Sequence, residues 1–169
     1  MNKNGCQIYT SKIIDEKAHA KPAQVGVDLS VARIETIKGN NIYFDENSKV
    51  HNIEYEEAPF DIEDGVKIYH LYANTNYAVE FEQGLRKLDS NEWGLMIQRS
   101  SLLRAGCHLV SSIWDPGFET STMGSTLFTG NVGLDIPVGT RVAQILIFDN
   151  EPVEEENLYN GRWQKVANH

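Results

Sequence analysis

Residues 93–119 hold the side chains of this 169-residue chain best suited to chemistry: Arg99-Ser100-Ser101, then Trp114-Asp115-Pro116-Gly117-Phe118-Glu119. The guanidinium of Arg99 is a rigid fork of donors that matches phosphate oxygens, and the two serines add hydroxyl and backbone donors beside it. Asp115, at the head of a Pro-Gly turn, can orient a water or hold a divalent cation. Together they permit cleavage of a phosphoester or phosphoanhydride. The same Arg-Ser-Ser run is also what an ordinary solvated turn looks like, so residue types alone leave both readings open.

Charge narrows the partners. Fifteen basic residues against twenty-four acidic ones give a formal net charge of −9, which argues against sequence-independent nucleic-acid binding and against adhesion to an anionic membrane. A phosphorylated metabolite is still compatible where basic side chains converge and a cation screens the rest. Cys6 and Cys107 stand far apart without metal-ligand or redox spacing, which reads as free thiols in a reducing compartment. The polar N-terminus has no apolar signal core and no run approaches membrane-spanning length, so the expectation is a cytoplasmic protein. His19, His51, His70, His108 and His169 are scattered, and none makes a zinc-ligand spacing.

The elements that must position the reactive residues read as short strands. Residues 1–24 are a polar arm or a short helix ended by Pro22. Residues 25–31 alternate apolar with polar, and Asp28 within them either caps a turn or faces a site. Residues 34–37 and 41–44 flank Lys38-Gly39-Asn40, a hairpin connection by composition. Residues 45–65 are acidic and read as a solvated excursion ending at Gly65. Strand pattern resumes at 66–72 and 77–81. Residues 93–98 form a strand that delivers Arg99, residues 100–104 make a helical turn before Gly106, and residues 107–114 form one further strand. Residues 120–129 are extended; 132–138 and 141–148 are strands joined by a tight turn at 137–139. An acidic linker and an aromatic tail, 149–169, pack Tyr159 and Trp163 across a site or a neighbouring subunit, since a dangling tail would gain nothing from those rings. Many short strands with little helix point to one mainly β domain over 25–148, a jelly roll or distorted barrel.

Four segments in order resemble the superfamily that joins trimeric dUTP pyrophosphatases (dUTPases) with dCTP deaminases. Val25-Gly26-Val27-Asp28-Leu29 resembles its first motif. Gly94 with Ile97-Gln98-Arg99-Ser100-Ser101-Leu102 resembles the second and most specific. Asp115-Pro116-Gly117-Phe118-Glu119 resembles the third, and Gly139-Thr140-Arg141-Val142-Ala143-Gln144 the fourth. The likeness covers roughly residues 25–148, with a weaker echo at 158–164. It implies a mainly β, distorted jelly-roll or β-clip barrel, a homotrimer with active sites shared between chains, a deoxynucleoside triphosphate substrate (dUTP or dCTP) and Mg²⁺ on the triphosphate.

By resemblance, Asp115 matches the acid that activates water against the α-phosphorus. Arg99 and Ser100 match residues that reach the phosphates from an adjacent subunit, with Ser101 in the same turn. Phe118 falls where an aromatic ring packs on the deoxyribose, Gln144 where a glutamine contacts the phosphates or supports the site, and Asp28 where an acid helps organise the metal and phosphate side. The pyrimidine is expected to be read by backbone groups within 110–130, where Ile113 and Trp114 shape the pocket; Trp163 is expected to cover substrate.

Deaminases of the superfamily carry a proton-shuttling glutamate ten positions after the motif-three aspartate. Ser125 stands there, and a serine hydroxyl is a poor proton shuttle near neutral pH. Gly139 follows Asp115 by the twenty-four positions that both branches share, so the count runs without gaps. The expectation is hydrolysis of dUTP to dUMP and pyrophosphate; a dCTP deaminase, a bifunctional enzyme and a non-catalytic nucleotide-binding regulator are the alternatives. Three features lean the other way. Thr120 replaces a glycine after the aromatic turn, the glycine-rich fifth motif is not found, and both Arg104 and the tail Tyr159-Asn160-Gly161-Arg162-Trp163-Gln164 resemble the deaminase branch.

Overall fold

The computed structural model of the chain describes residues 13–14 and 25–161. Its strands are β1 (Ile13–Ile14), β2 (Val27–Phe44), β3 (Val50–Glu57), β4 (Phe60–Glu63), β5 (Val66–Leu71), β6 (Asn76–Phe81) and β7 (Gly84–Leu85). After these come β8 (Glu92–Gln98), helix α1 (Ser100–Arg104), β9 (His108–Val110), β10 (Ile113–Trp114), β11 (Gly124–Phe128), β12 (Leu134–Pro137) and β13 (Arg141–Asp149). A 3-10 turn follows at Glu155–Asn157. The mainly β class expected from the sequence is what folds.

The main sheet runs β10–β8–β13–β2–β6–β11–β9, with β3 also paired to β2, beside a smaller sheet β12–β5–β4 and the pair β1–β7. β2 joins the two halves of the main sheet. Its first residues pair with β13, its middle with β6 and its far end with β3, all antiparallel. Register shifts at Val31/Arg33 and at Arg141/Ala143 mark bulges where the sheet changes direction, the usual device for curling a sheet. Val27, Leu29, Val31 and Ile34 of β2 are buried with Tyr77, Val79 and Phe81 of β6 and with Ile145 and Ile147 of β13 in one apolar core. That burial, at roughly 25 cal/mol per Å² of apolar surface, is what drives the sheet to close. Two inward polar groups satisfy each other: the Ser30 backbone N–H donates to Gln83 Oε1 at 2.8 Å, and Gln83 Nε2 donates to Ser30 Oγ at 3.2 Å.

Three expectations are corrected. Lys38-Gly39-Asn40 is no hairpin: β2 runs straight through it, with a register shift between Gly39 and Tyr43. The turn comes later, where Asp45 Oδ1 accepts the backbone N–H groups of Asn47 and Lys49, each at 2.9 Å. The acidic stretch 45–65 is not an excursion, because it contains β3 and β4. Their ladders supply the backbone pairing, and their acids point outward to partners such as Lys67, whose Nζ stands 2.7 Å from Glu57 Oε1. Finally, 107–114 is two strands, β9 on β11 and β10 on β8, so the chain crosses between the halves of the sheet at Ser111-Ser112. The region 1–24 lies outside the described residues apart from the backbone of β1, as does the tail beyond 161. Among the described residues, no helix is long and apolar enough to cross a membrane.

In the smaller sheet, His70 of β5 bridges both neighbours: its Nδ1 is 2.8 Å from Asp135 Oδ1 of β12, and its Nε2 is 3.2 Å from Asp61 Oδ2 of β4. The hydrogen bond to Asp135, then the charges of Asp135 and Asp61, raise its pKa above the ordinary 6.5. A proton held more tightly in the folded chain stabilises the fold below the unfolded pKa, and that contribution is lost as the pH rises through the folded one. The melting temperature of the wild type, followed from about pH 6 to about pH 9, should therefore fall relative to that of His70→Gln, and parallel curves would remove the bridge from the stability of this sheet.

Candidate active site

Asp115-Pro116-Gly117-Phe118 closes on itself through Phe118 N–H donating to Asp115 O at 3.1 Å. Proline at the second position and Gly117 at φ +89° in the third make it a type II turn. Gly117 is required twice over: its backbone is left-handed, and a Cβ there would come within 2.9 Å of Leu158 Cβ. Leu88 holds the turn in place, its carbonyl accepting Gly117 N–H and its N–H donating to Phe118 O, both at 3.0 Å. Thr120 fits its position without a glycine's freedom. It is buried, pairs with Leu85 through the backbone and donates its hydroxyl to Thr122 O at 2.7 Å.

The turn presents Asp115 as an exposed carboxylate at a cleft of about 1130 Å³. Trp114 and Phe118, each 7% exposed, stack nearly parallel in its wall with centroids 5.7 Å apart. Trp114 has room for this because its cross-strand partner is Gly94, where a Cβ would stand 3.3 Å from the indole. Ile113 and Ser125 also line the cleft, and Ser125 Oγ donates to Val110 O at 2.9 Å. Its acidic lining residues are Glu35, Glu80 and Asp115; among the described residues, no lysine or arginine lines it.

Two arginines, Arg99 and Arg141, gather elsewhere. Asp28 on β2 is 1% exposed. Gln144 Nε2 donates to its Oδ1 at 2.8 Å, Arg141 Nη1 donates to its Oδ2 at 3.3 Å, and Arg99 Nη1 stands 3.3 Å from the same Oδ2. This fixes the guanidiniums and the amide behind an outward-facing surface, since the Arg99 and Arg141 side chains stay 31% and 39% exposed. Arg99 precedes α1, from which Ser100, Ser101 and Arg104 are exposed. The sequence alone did not single out Arg141 as a partner of Gln144. Three positions apart on a regular strand they would face opposite sides; the bulge between Arg141 and Ala143 puts both against Asp28.

The expected site residues thus fall into two groups. Ile113, Trp114, Asp115 and Phe118 share the cleft, whereas Asp28, Arg99, Ser100, Ser101, Arg104 and Gln144 are not in its lining. Strand pairing explains the division. Trp114 is opposite Gly94 on the antiparallel strand β8, and Arg99 follows five residues further along β8 while Asp115 continues the other way. At about 3.4 Å per residue, the backbone of Arg99 lies roughly 17 Å along the strand from Gly94, on the side away from Asp115. Trp163 lies outside the described residues. Among those described, no group of three or more His, Cys, Asp or Glu side chains is arranged to hold a metal ion. Tyr159, of the aromatic tail expected to pack across a site or a neighbouring subunit, lines the cleft of its own chain.

No family model matches the chain. Curated relatives and solved structures do. The probable deoxyuridine 5′-triphosphate nucleotidohydrolase of Aeropyrum pernix is 30% identical over 154 residues, 88% of this chain and 89% of the relative. The deoxyuridine 5′-triphosphate nucleotidohydrolase of Methanocaldococcus jannaschii is 30% identical over 158 residues, 90% and 96% of the two chains. In fold, the chain is similar to the 2′-deoxycytidine 5′-triphosphate deaminase of Agrobacterium tumefaciens, with a TM-score of 0.55 and 13% identity over 82% of this chain and 42% of that one. Fold and motif order define a protein of the superfamily that unites dUTPases and dCTP deaminases. Within it, the two relatives at 30% identity, matched along nearly their whole length, place the chain in the deoxyuridine 5′-triphosphate nucleotidohydrolase family.

A buried carboxylate stripped of its positive partners is strongly destabilising. Arg99→Ala with Arg141→Ala should lower the free energy of urea unfolding by about 3–5 kcal/mol, and adding Asp28→Asn should restore most of it. Equal stability of the double variant and the wild type would show that the two guanidiniums do not neutralise Asp28.

Proposed function

We propose that the protein hydrolyses dUTP to dUMP and pyrophosphate, with Asp115 as general base and with each site completed by a second copy of the chain in a homotrimer. The observation that carries this reading is the exposed carboxylate of Asp115 beside the Trp114–Phe118 stack in a chain of the dUTPase family. Asp115 takes a proton from a water whose oxygen attacks the α-phosphorus; the α–β bridging bond breaks and pyrophosphate leaves with its electron pair. The type II turn holds the Cα atoms of Asp115 and Phe118 within about 7 Å, comparable to the reach from an α-phosphorus to its own sugar. A nucleotide attacked from Asp115 therefore lays its deoxyribose on Phe118. Its base then meets the segment 110–126, where Ile113 and Trp114 form the wall and backbone groups read the pyrimidine edge.

A triphosphate at the cleft needs positive charge close to it. Among the described residues the charged lining is acidic, Glu35, Glu80 and Asp115, with Glu35 paired to Arg33 at 2.9 Å, so this lining does not itself neutralise a triphosphate. Arg99 and Ser100 of a neighbouring copy, with Ser101, Arg104 and Gln144 beside them, are the groups poised to neutralise it. Asp28 acts behind them, because its oxygens engage Arg99, Arg141 and Gln144. Mg²⁺ enters this reading with the nucleotide, since Mg²⁺ commonly keeps its waters and binds through substrate phosphates. Bound there it supplies charge neutralisation and polarises the phosphoryl oxygens. The deaminase alternative asks for a proton shuttle where Ser125 spends its hydroxyl on Val110 O.

Incubation with Mg²⁺ and each of dUTP, dCTP, dTTP and UTP should give dUMP and pyrophosphate from dUTP, with ¹⁸O from labelled water appearing in dUMP. Release of dUTP from dCTP without pyrophosphate would select the deaminase reading, and tight nucleotide binding without product the regulator. Asp115→Asn should lower kcat by about 10²–10⁴, the range for loss of a general base, with nucleotide affinity retained; an active variant would remove Asp115 from this role. When Asp115→Asn and Arg99→Ala chains are unfolded, mixed in equal amounts and reassembled, about a quarter of the sites should combine intact Asp115 and Arg99 from different copies. No recovery of activity would mean that the sites are not shared.

A further inference from the structure

We propose that Tyr159 is a positioning residue for sugar specificity: it holds the Phe118 ring against the deoxyribose subsite, and this hold excludes a 2′-hydroxyl. The inference rests on the reading above for where the sugar lies, and it gives a role in sugar selection to a residue that the sequence expected only to pack across a site or a neighbouring subunit.

Phe118 is held from two sides. Trp114 stacks on it at an interplanar angle of 7°, and Tyr159 meets it edge-on, with centroids 5.2 Å apart and planes at 61°. Offset-stacked and edge-to-face are the two geometries that aromatic pairs favour, so each neighbour opposes a different displacement of the ring. Without Tyr159, Phe118 could swing away from Trp114 about its two side-chain torsions into the space that Tyr159 fills. That swing widens the cleft where the sugar lies.

Tyr159 is itself anchored to the turn it supports. After β13 the chain returns along the 88–91 loop, with Asn150 N–H donating to Asn91 O at 2.7 Å and Val153 N–H to Ser90 O at 2.9 Å. The 3-10 turn then leads to Leu158, which packs on Gly117, and the Tyr159 N–H donates to Pro116 O at 2.8 Å. A Cβ at Gly161 would meet the phenol end of Tyr159, so a side chain there would require the ring to shift. The segment 150–161 is thus tied to both sides of the Asp115–Phe118 turn, and its one aromatic ring is spent on Phe118 and on the cleft wall. An apolar wall rejects an added hydroxyl by only about 10², so a small displacement of the ring removes much of the discrimination.

The test compares kcat/KM for dUTP and UTP, with Mg²⁺, in the wild type, Tyr159→Phe, Tyr159→Leu and Tyr159→Ala, alongside the affinities for non-hydrolysable analogues of both nucleotides. Tyr159→Ala should raise the UTP/dUTP ratio about tenfold, mainly through UTP. Tyr159→Phe keeps the aromatic edge and should match the wild type. Tyr159→Leu fills the space without an aromatic edge; it covers the case in which the alanine variant fails to fold, and should show an intermediate ratio. In a Phe118→Ala background the substitution at 159 should change the ratio no further. Equal losses for both nucleotides, or an unchanged ratio in the folded leucine and alanine variants, would overturn the proposal. The analogue affinities keep this outcome separate from failure of the hydrolase reading: a wild type that makes no pyrophosphate still reports discrimination through binding, and one that binds both analogues alike overturns the proposal too.

Discussion

The antiparallel pairing of β8 with β10 on one side and β13 on the other is the constraint from which the site follows. Gly94 opposite Trp114 sets the indole into the wall of the cleft and starts the turn that exposes Asp115. Five residues on, just past the end of the same strand, stands Arg99, whose N–H donates to Val142 O of β13 at 2.8 Å. β13 in turn lays Gln144 across from Asp28 of β2. One strand therefore carries a carboxylate-and-aromatic half-site at one end and a guanidinium half-site at the other. Because strand length is set by backbone geometry and not by side chains, no rotamer change within a single copy brings the halves together.

That division gives the buried Asp28 a meaning beyond stability. A carboxylate at 1% exposure is costly unless paired, and here its pairing restrains two arginines and a glutamine on the edge that a phosphate-bearing cleft would need to meet. Restrained donors lose less conformational entropy when a ligand arrives. An overall charge of −9 does not exclude a triphosphate, because the local potential around a ligand decides its binding.

Much of this was legible in the sequence. The four motif segments announce the family, and the strongly apolar run of residues 141–148 places β13 correctly, because each is a local pattern. What was not legible depends on pairing. Lys38-Gly39-Asn40 has turn chemistry, yet the chain uses it for an irregularity inside β2, since the Asp45 side chain closes a better turn seven residues later. The acids of 45–65 read as loop because both strands they contain are solvated, and hydrophobic periodicity signals only strands with a buried face. Arg141 was hidden by a bulge that overrides the two-residue period. That the two half-sites of one chain stand apart is a matter of register, which motif spacing does not encode.

The C-terminal segment shows how a residue remote in sequence enters a local device. The sequence suggested that an aromatic tail would pack across something, but its partner is set by two glycines: Gly117, whose missing side chain admits Leu158, and Gly161, whose missing side chain admits the Tyr159 ring. Between them Tyr159 lies edge-on to Phe118. A Cβ at Gly117 would therefore act on more than the turn. Besides straining a backbone held at φ +89°, it would lift Leu158 and with it the ring that braces Phe118, so the carboxylate, the aromatic wall and the end of the chain are coupled through one position without a side chain.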